Sequence, residues 1–310
     1  DAAALASDVI LTRDDTLSLN EMIEKAGIGD DEFEDALRHL GIRIDDADTV
    51  MFATSDLEMS TFLASALDLF TRDEGHELLH VVATSLSAIA EAAVSSHVQG
   101  PEARAADFVE HARLNAAITE LGLELGTHLA AVFRHHLRQA ALRQRRTQSL
   151  DHREVQELTI GFVDLVGFTS LSQTLDPDRI VALVVEFETR AHELAHDLHV
   201  RVGTLIGDEV MFVAEDPPEA ARVALGMLAA VATGDVVPRG GLAAGSLVTV
   251  HGDYFGPVVN LDARLVDTAV PGEILVDDAV AQASDLDVEG AGRRMLKGFE
   301  EPVRVHSLIL

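Results

Sequence analysis

The chain has 310 residues, 47% of them apolar, no cysteine, and a formal charge of −30 from 53 acids against 23 bases. That length and apolar share support two domains with cores of their own and exclude a wholly disordered chain. The acidity repels nucleic-acid polymers and anionic membrane surfaces. The lack of cysteine excludes a disulfide framework, a thiolate metal site and a cysteine nucleophile, and fits a reducing, cytoplasmic compartment.

No uninterrupted apolar run approaches the ~20 residues of a bilayer-spanning helix, so no transmembrane segment is expected. The chain starts at Asp1 without a charged-then-apolar leader, as a fragment does; whether a segment precedes it stays open.

Residues 1–133 read as an all-α domain. Ser18–Gly27 and Asp30–Gly41 carry apolar residues at helix spacing and end at glycine. The pair is similar to a helix-turn-helix, but residues 1–133 hold 26 acids and 7 bases. A DNA reader needs a basic face, so the pair reads as two packed helices. Ser55–Thr71 and Glu74–Ser96 form longer helices. The stretch Val81–Val94 is apolar almost all round, which predicts the centre of a helical core. A further hypothesis has that core enclosing an acyl chain, with a fatty acid as ligand.

Gly100–Pro101 breaks the chain. Ala103–Gln148 then reads as one or two long helices, with Gly122 and Gly126 as kink points. Arg134–Arg146 has five arginines, two histidines and no acid. Residues 134–154 are therefore expected to form a basic helical linker. One reading is a solvated helix C-terminus, where cations are favoured. The other is an interdomain switch whose histidines titrate near neutrality, with Arg134, His135, His136 and Arg138 as regulatory candidates.

From Glu157 onward strands alternate with helices. Glu157–Leu165 reads as a buried strand and Asp178–His199 as an amphipathic helix. Arg201–Ile206 and Glu209–Ala214 form a hairpin turning at Gly207–Asp208. Pro217–Ala232 is a helix, Gly240–Val250 a strand, Val258–Val270 a helix, Glu273–Val276 a strand and Val303–Leu308 a closing strand. This order predicts an α+β domain over residues 155–310, with helices on one face of an antiparallel-rich sheet.

Two motifs in it carry chemistry. In FVDLVGFTSLS, Phe162–Ser172, Asp164 ends a strand; in IGDEVMF, Ile206–Phe212, Asp208 sits in a hairpin turn. Carboxylates on neighbouring strand ends can hold two hard cations against a triphosphate. A third segment, DYFGPVVNLDARL, spans Asp253–Leu265. In this order the three resemble the catalytic domain of class III nucleotidyl cyclases, of ferredoxin-like α+β fold. The resemblance covers about residues 155–310.

That resemblance implies a set of roles. Asp164, Asp208 and the carbonyl of Leu165 bind two Mg²⁺ or Mn²⁺ ions. Gly167, Phe168 and Thr169 form a loop whose backbone N–H groups hold phosphate. Asn260 and Arg264, spaced i, i+4 on one helix face, are the catalytic pair. Asn260 orients the ribose and Arg264 neutralises charge on the α-phosphate. Asp253 selects adenine by accepting from its exocyclic amine, and Lys297 binds phosphate. It is one of two lysines, with Lys25.

One position departs from the family. Thr204 stands where adenylyl cyclases usually carry a base-reading lysine. This leaves three readings: weakened reading of ATP, altered base choice, or a degenerate domain acting as a nucleotide-binding or dimerisation module. The intact aspartates, Asn260 and Arg264 favour the first. The family further implies a homodimer in which the metal aspartates of one protomer face the Asn, Arg and base-selecting residues of the other. A helical domain, a helical linker and a class III domain in series are similar to autoregulated actinobacterial adenylyl cyclases. That similarity implies restraint of the catalytic pair by the helical domain, and sensing of pH or fatty acid.

Two HExxH stretches, His76–His80 and His192–His196, match a zinc-binding spacing, but neither has a third ligand at metzincin spacing. Zinc hydrolysis is set aside. The IGDEVMF segment is also similar to the GGDEF hairpin of diguanylate cyclases, which lack the DYFGxxVNxxxR segment.

Overall fold

The structure is a computed structural model that describes residues 2–27, 29–67, 69–99, 105–147, 155–231, 236–250, 252–283 and 285–309. They fall into two compact units, Asp1–Arg146 and Thr147–Leu310.

The first unit is helical with a small β ribbon that the helical periodicity did not predict. Its elements are α1 (Ala2–Leu11), β1 (Asp15–Ser18), α2 (Leu19–Ala26), α3 (Asp30–His39), β2 (Val50–Ala53), a 3₁₀ turn at Thr54–Asp56, α4 (Leu57–Leu67), α5 (Arg72–Gln99) and α6 (Phe108–Thr147). Strands β1 and β2 pair antiparallel. A capping box starts α2: the Glu21 N–H donates to Ser18 Oγ at 3.3 Å, and the Ser18 N–H donates to Glu21 Oε2 at 2.9 Å. This satisfies two donors that the helix start leaves unpaired. Met22 and Ile23 from α2, Phe33 and Leu37 from α3, Leu63 from α4 and Leu79 from α5 form the core with Leu17 and Phe52.

That core corrects the expectation for Val81–Val94. Only Leu79 of α5 is buried in the core cluster, and Leu86, Ile89 and Val94 are exposed. The segment therefore does not form the core centre within one chain. The span Arg72–Ser96 is also long and apolar enough, by length and composition, to cross a membrane, with only 6% of that window buried. Short polar interruptions break up its apolar runs without lowering the average, so run length alone did not single it out. Helix α6 is unbroken through Gly122 and Gly126, and the basic segment continues it to Thr147. Residues 148–154 of the expected linker lie outside the described residues.

The second unit contains β3 (Val155–Val166), α7 (Phe168–Leu171), α8 (Pro177–Asp197), β4 (Arg201–Ile206), β5 (Glu209–Ala214), α9 (Pro217–Val231) and β6 (Val237–Val250). It continues with β7 (Asp253–Phe255), α10 (Pro257–Thr268), β8 (Ile274–Val276), α11 (Asp278–Ala283), β9 (Val288–Arg294) and β10 (Val303–Leu308). The sheet runs β4-β5-β3-β6-β8-β10-β9, with β7 paired to β6. All neighbours are antiparallel except β6 and β8.

Side-chain alternation gives β3 two buried faces. Val163 and Leu165 join Phe187 of α8 and Ala224 and Met227 of α9. Ile160 and Phe162 join Val258, Leu265 and Val266 of α10. Helices therefore cover both faces, not one. The apolar positions of Glu157–Leu165 run nearly unbroken because the strand faces two layers.

Candidate active site

The site grows from the end of β3. Its register places Asp164 opposite Glu209 of β5 on one side and Arg239 of β6 on the other. Asp208 lies in the two-residue turn between β4 and β5, where Gly207 takes φ 65°. A left-handed residue suits a turn that must follow the strand twist. The Leu165 N–H donates to the Asp208 carbonyl at 3.2 Å, which ties the turn to the β3 end and brings Asp164 and Asp208 together.

Arg239 is a member of this cluster that the motifs did not mark. Its Nε lies 2.9 Å from Asp164 Oδ1 and its Nη2 lies 3.0 Å from Oδ2, a two-pronged pair. Its Nη1 donates to the carbonyls of Asp267 at 3.3 Å and Ala269 at 3.2 Å. The cluster is thereby bound to the last turn of α10. The sequence signal was an arginine directly before Gly240–Gly241 at a strand start.

Burial, and then the neighbouring Asp164 charge, push the Asp208 carboxyl above its ordinary range; its own backbone N–H and Arg239 pull it back. Glu209 is also raised, first by burial and then by Asp164 and Asp208. Arg239 is raised chiefly by its hydrogen bond to Asp164. The cluster thus has an excess of negative charge that one guanidinium offsets in part. Converging, mutually repelling hard oxygens are a donor set that fits Mg²⁺ or Mn²⁺.

Gly167 takes φ 86° and precedes the four-residue α7. A single turn sums few peptide dipoles, so any phosphate held there is held by loop N–H groups more than by a helix field. Phe168 packs partly into the α8–α9 core, and Thr169 lies within α7.

The base-selecting candidates converge. Thr204 Oγ1 on β4 is 3.5 Å from Asp253 Oδ1 on β7, near the limit for a hydrogen bond. Tyr254 beside them is buried.

Asn260 is exposed on the first half of α10, and Arg264 one turn later pairs with Asp267. No hydrogen bond or ion pair joins either of them to Asp164 or Asp208 among the described residues. The Arg239 cluster meets α10 at Asp267, seven residues beyond Asn260, which is about 10 Å along a helix axis. Lys297 is exposed in the β9–β10 connection, beside buried Leu296. Arg134, His135, His136 and Arg138 are all exposed on α6.

A second residue that the motifs did not mark is buried on α10. Asp262 is 0% exposed, and neither carboxylate oxygen has a hydrogen-bond partner. Burial, then the charges of Asp277 and Glu209, raise it well above the ordinary range; the nearby Phe162 N–H, outside hydrogen-bond geometry, acts in the opposite direction. The sequence signal was an acid at i+2 between Asn260 and Arg264, on the opposite helix face.

Residues 150–309 match the family described as adenylate and guanylate cyclase catalytic domain. This chain belongs to that family. An uncharacterized protein of Mycobacterium tuberculosis is similar over nearly the whole cyclase chain: 31% identical over 317 residues, 98% of this chain and 82% of that protein. An adenylate cyclase of Streptomyces coelicolor is 35% identical over 199 residues, 63% of this chain and 52% of that protein. A pH-sensitive adenylate cyclase of M. tuberculosis is 28% identical over 306 residues, 93% of this chain and 77% of that protein. Among solved structures, the adenylyl cyclase CyaB from P. aeruginosa is similar at 22% identity with a TM-score of 0.45, over 52% of this cyclase and 97% of that chain.

Proposed function

We propose that the chain is a metal-dependent adenylyl cyclase that converts ATP to 3′,5′-cyclic AMP and pyrophosphate in a homodimer, with turnover restrained by the helical unit. The observation that carries this is the junction of Asp164, Asp208 and Arg239 at the β3 end, with Asn260 and Arg264 making no bond to Asp164 or Asp208 among the described residues of one chain. A second protomer completes such a site. Adenylate cyclase names among the relatives support the choice of ATP.

In this reading Asp164, Asp208 and the Leu165 carbonyl hold the two divalent ions. Those ions supply Lewis-acid polarisation of phosphate and acidify the ribose hydroxyl. Asn260 orients the ribose so that its 3′-oxygen lies in line with the α-phosphorus. The 3′-hydroxyl gives its proton to solvent, its oxygen bonds to that phosphorus, the bond to the bridging oxygen breaks, and pyrophosphate leaves. Arg264 exchanges Asp267 for the α-phosphate and neutralises its growing charge. Lys297 holds the terminal phosphates. Asp253 accepts from the adenine amine, and the Thr204 hydroxyl donates where a lysine would bring charge.

The exposed apolar surfaces of α5 and α6 support dimerisation through the helical unit. The exposed Arg134, His135, His136 and Arg138 support a role for the linker in pH response. A domain that displacement of about 1 Å can slow about 100-fold is readily gated in this way.

A second reading, a nucleotide-binding module without strong turnover, is favoured by Thr204 alone. Turnover of ATP, GTP, CTP and UTP with Mn²⁺ separates the two. The expected result is cyclisation of ATP, loss of activity in Asp208→Ala, and a gain with ATP in Thr204→Lys. A wild type that cyclises no triphosphate at saturating Mn²⁺ overturns the enzyme reading. A fall in ATP turnover for Thr204→Lys overturns the account of base selection.

A further inference from the structure

The helical unit holds a second set of convergent ligand atoms, far in sequence from the cyclase motifs. Asp35 and His39 lie at i, i+4 on α3, and His76 comes from α5; one ligand atom from each lies within 4.8 Å of the other two. His76 Nε2 is 3.1 Å from Asp35 Oδ2, and His39 Nε2 is 3.9 Å from Asp35 Oδ1. The two imidazoles stack with centroids 3.9 Å apart and planes 17° from parallel, so both Nε2 atoms approach one carboxylate from the same side. The core residues Phe33, Ala36, Leu37 and Leu79 fix the α3–α5 junction beneath them.

We propose that Asp35, His39 and His76 form a site for a divalent transition-metal ion of the zinc class, clamping α3 to α5. The donor set is two imidazoles and one carboxylate, a borderline set that suits zinc better than Mg²⁺. Tetrahedral bonds of about 2.0–2.2 Å put ligand atoms about 3.3 Å apart. The three ligand atoms, within 4.8 Å of one another, would have to draw closer, and the imidazoles turn out of their stack, for both lone pairs to meet at one ion. The three ligands are neither fully buried nor freely mobile: side-chain exposures are 17% for Asp35, 35% for His39 and 20% for His76. A fourth position is left for solvent.

Arg72 is the competitor. Its Nη2 lies 2.7 Å from Asp35 Oδ2, and its own side chain is 73% exposed. Arg38 reaches Oδ1 at 3.2 Å. Both are long surface side chains that can swing into water at little cost. The HExxH stretch at His76 thus contributes one ligand to a set that its own spacing did not reveal, while His80 points to solvent as an exposed residue.

The test uses tag-free full-length chain carrying Asp208→Ala, to weaken ion binding at the cyclase carboxylates. Zinc is titrated against a chromophoric chelator, and Co²⁺ is followed by its visible d–d spectrum. The expected result is one tightly held ion per chain, a tetrahedral Co²⁺ spectrum and a zinc-dependent rise in unfolding temperature. All three are lost in the His39→Ala/His76→Ala double variant, and Arg72→Ala binds zinc more tightly. Arg72→Ala leaves the three ligands and the core intact, so it reports even if the double variant fails to fold. Equal zinc binding by the double variant, or unchanged or weaker binding by Arg72→Ala, overturns the proposal.

Discussion

Replacing Asp262 by asparagine removes a proton equilibrium from the middle of α10 while keeping the side chain's shape. In the fold this carboxyl is fully buried without a hydrogen-bond partner, and its pKa lies well above the ordinary value. In the unfolded chain it titrates near 3.9. The native state therefore keeps a proton that the unfolded state releases. With more protons bound in the native state, stability falls as pH rises, by about 1.4 kcal/mol per pH unit, from the unfolded value up to the folded one. Below the unfolded value the carboxyl contributes no pH dependence. The asparagine variant has no such slope; its cost is a constant of about 1–3 kcal/mol for unsatisfied amide hydrogens. The stability gap between the two accordingly narrows as pH rises. Two units in one chain make global unfolding a poor probe. Hydrogen exchange at the amides of α10 and β6, read as the variant-to-wild-type ratio at each pH, cancels the intrinsic rate. A ratio that stays constant from pH 5 to pH 8 refutes the reasoning, because it means that Asp262 is already charged in the native state over that range.

Gly241→Ala is expected to destabilise the same junction by about 1–3 kcal/mol. An added Cβ would lie 2.9 Å from both the Asp262 carbonyl oxygen and Leu265 Cβ, so the α10 backbone must retreat. Faster exchange along α10 checks this. Arg239→Gln removes the guanidinium that pulls Asp208 and Glu209 back toward ordinary values. In metal-free protein the Asp208 carboxyl carbon should then titrate at higher pH by NMR, and an unchanged midpoint rejects the role given to Arg239. Asp208→Ala and Asn260→Ala, each inactive alone, should recover turnover when mixed, because one mixed dimer carries one intact site. Inactivity of the mixture, where exchange of protomers is verified, rejects a site shared between protomers.

The cyclase unit was legible wherever a residue's role is local. The β4–β5 hairpin has the residue bounds expected of it, since apolar alternation on both arms and Gly207 at the turn are short-range properties. Strand β9 was not expected: its Val-Glu-Gly-Ala-Gly-Arg-Arg stretch has no alternation, and it is a strand only because β10 pairs with it. Arg239 and Asp262 escaped for the related reason that their roles arise from register. An arginine becomes the partner of Asp164 only once β6 is aligned against β3. An acid two residues from Asn260 becomes buried only once α10 is laid over a glycine.

The helical unit shows the opposite failure. Its helices were legible from periodicity, but the use of their apolar faces was not. Val81–Val94 has the composition of a core centre and yet stands exposed in a single chain. Periodicity states that an apolar face must be covered and is silent on what covers it. If two such chains dimerise through α5 and α6, the coverage lost in one protomer is supplied by its twin. Such a dimer would hold two cyclase units in one assembly, as the proposed shared site requires. Substituting Leu86 and Ile89 by charged residues should therefore weaken dimerisation and turnover together. Turnover that survives in a verified monomer separates the two and removes the helical unit from assembly of the site.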